Sequence, residues 1–347
     1  AGLKGGILYY DGQFDDARLL TDLVRTASAS GAAMLNYVKD VSLVKTDAGE
    51  IRGVEFVDEL SGDAHSVRAK VVINATGAFC DAVRSMSNEA AKPIVTLSQG
   101  IHLVFERRFL PSDTAMVIPK TSDGRVLFCI PWLGSTLIGT TDTPIATPEL
   151  EPNALEAEID FVLETAGKYL ESKPMREDIR SVFAGIRPLV KNSSAKNTAS
   201  LSRGHTIKID NAGLLTITGG KWTTYRHMAE DAVDQAASLG GLPERQSVTR
   251  SLTIINHAYN MSEAGDRLHP DLPYTRDDVI RAVRSEMAQT VEDVLARRTR
   301  ALFLNAKAAI EMAPQVAAIM AEELGKSSDW IDTQAEDLRL TAQSYLV

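Results

Sequence analysis

The chain has 347 residues, 44% hydrophobic and 24% charged, an ordinary globular composition with core enough for two or three packed units. A formal charge of −9 argues against a nucleic-acid partner, and no apolar run approaches the roughly 20 residues that span a bilayer as a helix. The two cysteines, Cys80 and Cys129, show no metal-ligand spacing and sit in or beside apolar runs, as buried thiols of a reducing compartment do.

In chain order, "ILYYDGQF" at 7–14 alternates poorly but is rich in β-formers, and is read as strand. "DDARLLTDLVRTASASG" predicts a helix capped by Asp15 or Asp16, with Leu19, Leu20 and Leu23 on its apolar face and Gly31 ending it. "IRGVEFVDE" and "SVRAKVVINATG" follow as two strands, so the first block mixes strand and helix as α/β proteins do. From 93 to 210 the chain is strand-rich. "GIHLVFE", "AMVIPK", "RVLFCIPW" and "STLIGTTD" meander, with Leu133-Gly134 as a hairpin turn, and one helix, "LEAEIDFVLETAGKYL", interrupts them. "HTIKID" and "LLTITGG" form another hairpin leading to a helix with Tyr225, Met228, Ala229, Ala232, Val233 and Ala236 on one face. Beyond 245 a loop rich in Asn, His and Pro runs to about 273. Residues 275–287 and 291–325 then read as wholly helical, broken at Pro314.

Four places hold combinations suited to chemistry. "VVINATGAF" ends an apolar strand in small residues, where open α/β sheets admit a ligand; an ordinary strand exit has the same pattern. In "SQGIHLVF", His102 sits within an apolar strand, where a structural histidine and a neutral base both fit. In "FAGIRPLV", Pro188 holds Arg187 extended, and burial requires a carboxylate partner or an anionic ligand for the guanidinium. Arg203, in "SLSRGHT", is of the same kind but more exposed in character. In "GGKWTTYRHMAE", Gly219, Gly220, Lys221, Thr223 and Thr224 crowd a strand-to-helix junction, which is either a tight capped turn or an anion-facing helix N-terminus. No Gly-x-Gly-x-x-Gly, Walker loop, nucleophile elbow or zinc motif occurs, and no metal ligand is assigned.

Taken in order with "YYDGQFDDARLL", "FCIPW", "LIGTTDT" and the helical carboxy-terminal segment, these motifs resemble the FAD-dependent glycerol-3-phosphate dehydrogenases, flavoproteins of the D-amino-acid-oxidase type. The resemblance implies an α/β (α+β) fold in three parts. Residues 1–90 and 211–245 would be part of an FAD-binding domain, 91–210 a mixed or antiparallel substrate domain, and 246–347 a helical domain. It implies FAD held by Lys39, Asp40, Ala75, Thr76, Gly77, Gly219, Gly220, Lys221, Thr223 and Thr224. Glycerol 3-phosphate would be bound by Arg187, Arg203, Lys221 and Thr223, with His102 as base and Arg187 or Lys221 polarising the alkoxide. Its implied partners are a quinone acceptor, a membrane surface met peripherally from the cytoplasmic side, and a second copy of the chain. The family's amino-terminal Gly-rich unit does not precede Ala1, so the expectation is a fragment that alone is colourless and inactive. A related amine or amino-acid oxidase, and a non-enzymatic fragment, are the other readings of the same residues.

Overall fold

The structure, a computed structural model, describes residues 5–121, 124–191, 204–255 and 267–347. The predicted first helix is α1, Asp16–Ala29, and Asp15 Oδ1 caps it by accepting the Arg18 N–H at 3.0 Å. The strand expected at 7–14 does not form. β-Formers need a neighbouring ladder, and here Ile7 is 94% and Tyr10 92% exposed. Three strands follow as an antiparallel meander in the order β1-β2-β3: β1, Val38–Lys45; β2, Ile51–Asp58; and β3, Ala64–Arg68. "SVRAKVVINATG" is therefore not one strand. It contains the end of β3 and a separate β4, Val72–Asn74, which belongs to another sheet; a single turn, Gly77–Phe79, then leads into α2, Cys80–Ser87.

The central sheet is antiparallel and carries β5, Val95–Glu106; β6, Met116–Ile118; β7, Leu127–Trp132; β8, Ser135–Gly139; and β9, Thr143–Ile145. After α3, Glu156–Ala166, strand β10, Ser181–Val190, completes it in the order β10-β5-β8-β7-β6, with β9 also on β5. Side chains alternate between its faces. Ile101, Leu103, Phe105, Cys129 and Ile138 point to one face, where Ile159 and Val162 of α3 close a core. Cys129 is buried as expected, and burial pushes its thiol up to about 12. The opposite face carries Ser98, Gly100, His102, Phe183, Gly185 and Arg187, paired across β5 and β10.

The second predicted hairpin is β11, His205–Ile209, and β12, Leu214–Gly219, followed after a short turn by α4, Tyr225–Leu239. β12 pairs with β4 in parallel, Leu214 opposite Val72 and Thr216 opposite Asn74. Met228, Ala232 and Ala236 pack on Leu215 and Ile217, but Val233, expected on that face, is 58% exposed.

The carboxy-terminal part is largely helical. The expected loop contains a small hairpin, β13, Arg267–His269, and β14, Leu272–Thr275. Thr275 and Asp278 then form the capping box of α5, Arg276–Ser285. The stretch read as wholly helical divides into a π-helical turn, Asp293–Arg298, then α6, Ala301–Leu304, and α7, Ala306–Leu324, before α8, Ser328–Ala342. Pro314 does not break α7. The helix is anchored by Asn305 at its start and Gly325 at its end, and Met312, Ala313, Val316 and Ala317 around the proline are buried.

Candidate functional site

Parallel pairing sends β4 and β12 in one direction, so their exits, Ala75–Gly77 and Gly219–Lys221, meet at one end of the sheet. Asn74, 2% exposed, ties the first exit: its Nδ2 donates to Cys80 O at 2.9 Å, and its Oδ1 accepts from Thr76 Oγ1 at 2.7 Å. Ala75 and Thr76 are exposed beside it. At the second exit Gly219 and Gly220 have φ of 78° and 74°, a left-handed pair that other residues rarely adopt. A Cβ on Gly219 would lie 2.6 Å from Val190 Cγ2 and 2.9 Å from Gly204 O, so β10 and the β11 entry press directly on the turn. Lys221 and Thr223 are exposed, whereas the Thr224 hydroxyl is spent on the turn itself, donating to Lys221 O at 3.0 Å.

β10 connects this turn to the central sheet. Its Val190 end meets Gly219; three residues back, about 10 Å along a strand, stands Arg187. The guanidinium folds over Gly100, where a Cβ would come within 2.5 Å of both Nη1 and Nη2. Nη1 donates to Thr141 O at 3.2 Å, Nη2 to Thr140 Oγ1 at 2.9 Å, and Asp142 Oδ1 lies 4.0 Å from Nη1. The side chain is 38% exposed. One step further along the same face of β5 is His102, whose ring stacks on Phe183 at 5.4 Å and faces Gly139 of β8. Burial, and then the charge of Arg187, lower its pKa to about 4, so the ring is neutral at pH 7.

The histidine and arginine singled out from sequence are thus neighbours on one sheet face, and the small-residue exits and the glycine turn are neighbours at one sheet end. Lys39 stands apart, exposed on β1 and 3.9 Å from Glu59 Oε1; Asp40 follows it on the same strand. Arg203 lies outside the described residues. A cavity of about 690 Å³ beside α1, lined in part by Leu20, Val24, Met34 and Met287, contains none of the predicted site residues.

Arg300 was not anticipated. It is 8% exposed, its Nη2 pairs with Asp16, and its guanidinium lies 4.8 Å over Phe303 and 6.0 Å from the Trp132 ring. Phe303 in turn meets Phe183 edge-on at 4.7 Å, so a packed aromatic series carries the helical part up to the back of His102. In sequence its only sign is a run of three arginines and a threonine, Arg297–Arg300, indistinguishable from a solvated helix face.

Residues 1–226 match the family described as FAD dependent oxidoreductase, and residues 247–331 match the C-terminal domain of alpha-glycerophosphate oxidase. The chain is 38% identical over 384 residues to the probable mitochondrial glycerol-3-phosphate dehydrogenase of Caenorhabditis elegans, covering 97% of this chain and 53% of the relative. It is 38% identical over 375 residues to the mitochondrial glycerol-3-phosphate dehydrogenase SDP6 of Arabidopsis thaliana, covering 92% and 60%. Among solved structures, the glycerol-3-phosphate dehydrogenase of Bacillus halodurans complexed with FAD superposes with a TM-score of 0.79 at 27% identity, over 95% of this chain and 73% of that one. The chain therefore spans little more than half the length of the curated relatives it matches.

Proposed function

The chain belongs to the FAD dependent oxidoreductase family, and on that footing we propose that it carries the substrate site of a glycerol-3-phosphate dehydrogenase, which oxidises the C2 alcohol to the ketone of dihydroxyacetone phosphate. One observation carries the reading: an anchored arginine and a neutral histidine stand side by side on one sheet face. The names of the relatives at 38% identity support the choice of substrate.

FAD, when bound, supplies a two-electron acceptor for the hydride leaving C2. The chain's residues fit its flat ring, which would gain negative charge on reduction. Gly219 and Gly220 turn the chain without side chains at the end of β12, and the exposed Lys221 stands next to them at the entry to α4. Ala75, Thr76 and Gly77 offer small side chains at the adjoining exit. Arg187 takes the substrate phosphate, whose paired oxygens match a guanidinium. A ring nitrogen of His102 receives the hydroxyl proton. At a pKa of about 4 that nitrogen is a weak base, but a phosphate bound on Arg187 cancels part of the charge that depresses it. Lys221 and Thr223 stand exposed at the rim of the glycine turn, while Arg203 keeps its role on resemblance alone. A quinone at a membrane surface is proposed as acceptor on the same resemblance.

The test is the visible spectrum of the protein supplied with FAD. Glycerol 3-phosphate is expected to bleach the flavin bands, glycerol and amino acids to leave them unchanged, and no peroxide to form in air. In the Arg187→Ala variant the concentration of glycerol 3-phosphate needed for half-bleaching should rise about a hundredfold, the loss of a charge-assisted contact worth about 3 kcal/mol. Bleaching by an amino acid with peroxide release would identify an oxidase instead, because a guanidinium fits a carboxylate equally well.

A further inference from the structure

Arg187 is held by the link between β8 and β9, which is itself held from beneath. Glu158, in the first turn of α3, is 5% exposed and packs behind the sheet face that carries Arg187. A carboxylate in such a place is costly unless donors meet its oxygens. Here Oε1 accepts from Thr141 Oγ1 and Thr143 Oγ1, both at 2.7 Å, and Oε2 accepts from Gln99 Nε2 at 3.0 Å and the Leu155 N–H at 3.1 Å. The Thr141 hydroxyl has a fixed sense, since its oxygen already accepts the Ile101 N–H at 3.0 Å and its hydrogen is directed to Glu158. Thr141 is among the residues that grip the guanidinium, and the others lie beside the clamped pair. Thr141 O and Thr140 Oγ1 accept from Arg187, and Asp142, between the two threonines and accepting from Ser98 Oγ, faces it at 4.0 Å.

A helix-capping role alone does not account for this. The cap uses one oxygen, toward Leu155; the other serves only the two threonines of the link. From this we infer that Glu158 is a positioning residue for Arg187, fixing the Thr140–Thr143 link so that the guanidinium lies over Gly100 beside His102. The consequence for ligand binding rests on the assignment of Arg187 to the substrate phosphate. An amide cannot replace the carboxylate without loss. If the glutamine oxygen faces the threonines, its NH2 meets two donors, the Gln99 amide and the Leu155 N–H. If its NH2 faces them, the threonine hydroxyls must turn to accept, and the Thr141 hydrogen loses its acceptor.

Three variants separate this role from mere support of the fold. Glu158→Gln removes the clamp, Thr143→Val removes one of its donors without changing shape, and Thr143→Ser keeps that donor. The first readout is nitrogen NMR relaxation of the Arg187 side chain in the ligand-free protein, which is independent of what the protein binds. Glu158→Gln and Thr143→Val should convert an ordered Nε–H into a mobile one, and Thr143→Ser should restore order. The second is calorimetric titration with glycerol 3-phosphate, whose affinity should fall about tenfold in Glu158→Gln, the loss of roughly one well-aimed charged hydrogen bond. An Arg187 side chain equally ordered in the wild type, Glu158→Gln and Thr143→Val overturns the inference. Relaxation that changes as expected in a wild type that does not bind glycerol 3-phosphate upholds the positioning role and overturns the proposed substrate.

Discussion

His102 shows how far one residue's surroundings reset its chemistry. Its pKa falls from 6.5 to about 4, first because burial disfavours the imidazolium and next because Arg187 is nearby. Between those two pH values the unfolded chain takes up a proton that the folded chain refuses. Folding stability therefore declines as the pH drops from 6.5 toward 4, by up to about 3 kcal/mol. Urea unfolding of wild type and His102→Asn at pH 7, 5 and 4 should show this acid loss in the wild type and a flatter profile in the variant. Equal pH dependence would mean that the ring titrates normally. Local sequence pointed to His102 and Arg187 because each interrupts an apolar run with a group that burial makes expensive. It could not point to Gly100 or Gly139, whose role is to be empty beneath a guanidinium and beside a ring, since that demand comes from a neighbouring strand. Nor could it distinguish Glu158, whose four donors come from segments spread over residues 99–155.

At the scale of elements, the turn after β12 was legible as unusual and its two glycines have unequal duties. Alanine at either position must adopt a left-handed backbone, which costs about 1 kcal/mol. At Gly220 the new methyl meets the sulfur of Met228, the far end of a flexible side chain that can swing aside. At Gly219 it meets a branched Val190 methyl and a backbone carbonyl, neither of which can yield without moving β10 or β11. Gly219→Ala should accordingly destabilise by about 2–3 kcal/mol and Gly220→Ala by about 1, read from urea midpoints. The reverse order would show that the strands, not the methionine, are the yielding parts. Helix α1 was readable from its cap but not in its buried face. Leu20, expected there, is 55% exposed, and the buried residues are Arg18, Asp22 and Thr26, of which Arg18 and Asp22 meet charged partners. α5 was readable as helix, and the hairpins from their turns. The two misread strands share a cause. Residues 7–14 have strand-forming side chains without a partner strand, and 66–77 looks continuous although β3 and β4 answer to different sheets. Pairing is a property of two segments, and composition describes only one.

For the whole molecule, the decisive joints lie between residues that no local window contains. Arg18 of α1 reaches Glu286, 268 positions later, at 2.9 Å and 3.0 Å, and both are almost wholly buried. Glu286 also receives Arg281 Nε at 3.1 Å, and Arg281 pairs with Asp278 at 2.8 Å. Around this pair, Asn36 donates to Met287 O at 2.8 Å, Tyr37 to Asp293 at 2.7 Å, and Arg300 holds Asp15 and Asp16 at the start of α1. The first helix is thus fastened to the helical part by charged contacts, which is why an apolar-periodicity reading saw two separate blocks. A buried carboxylate shared by two guanidiniums is asymmetric. Removing it takes a partner from two cations, leaving Arg18 with Asp22 at 3.3 Å and Arg281 with Asp278, whereas removing Arg18 leaves Glu286 with Arg281, and Asp22 with Arg25 at 3.6 Å. Glu286→Gln, which weakens the bonds to two buried guanidiniums at once, should therefore cost about 2–3 kcal/mol, and Arg18→Gln less. The double variant should fall short of the sum, because the Arg18–Glu286 contact can be lost only once. Denaturant unfolding of the four proteins gives the cycle. Because the pair is buried, the coupling should persist in high salt; one that vanishes there would assign the fastening to the exposed rim of the interface instead.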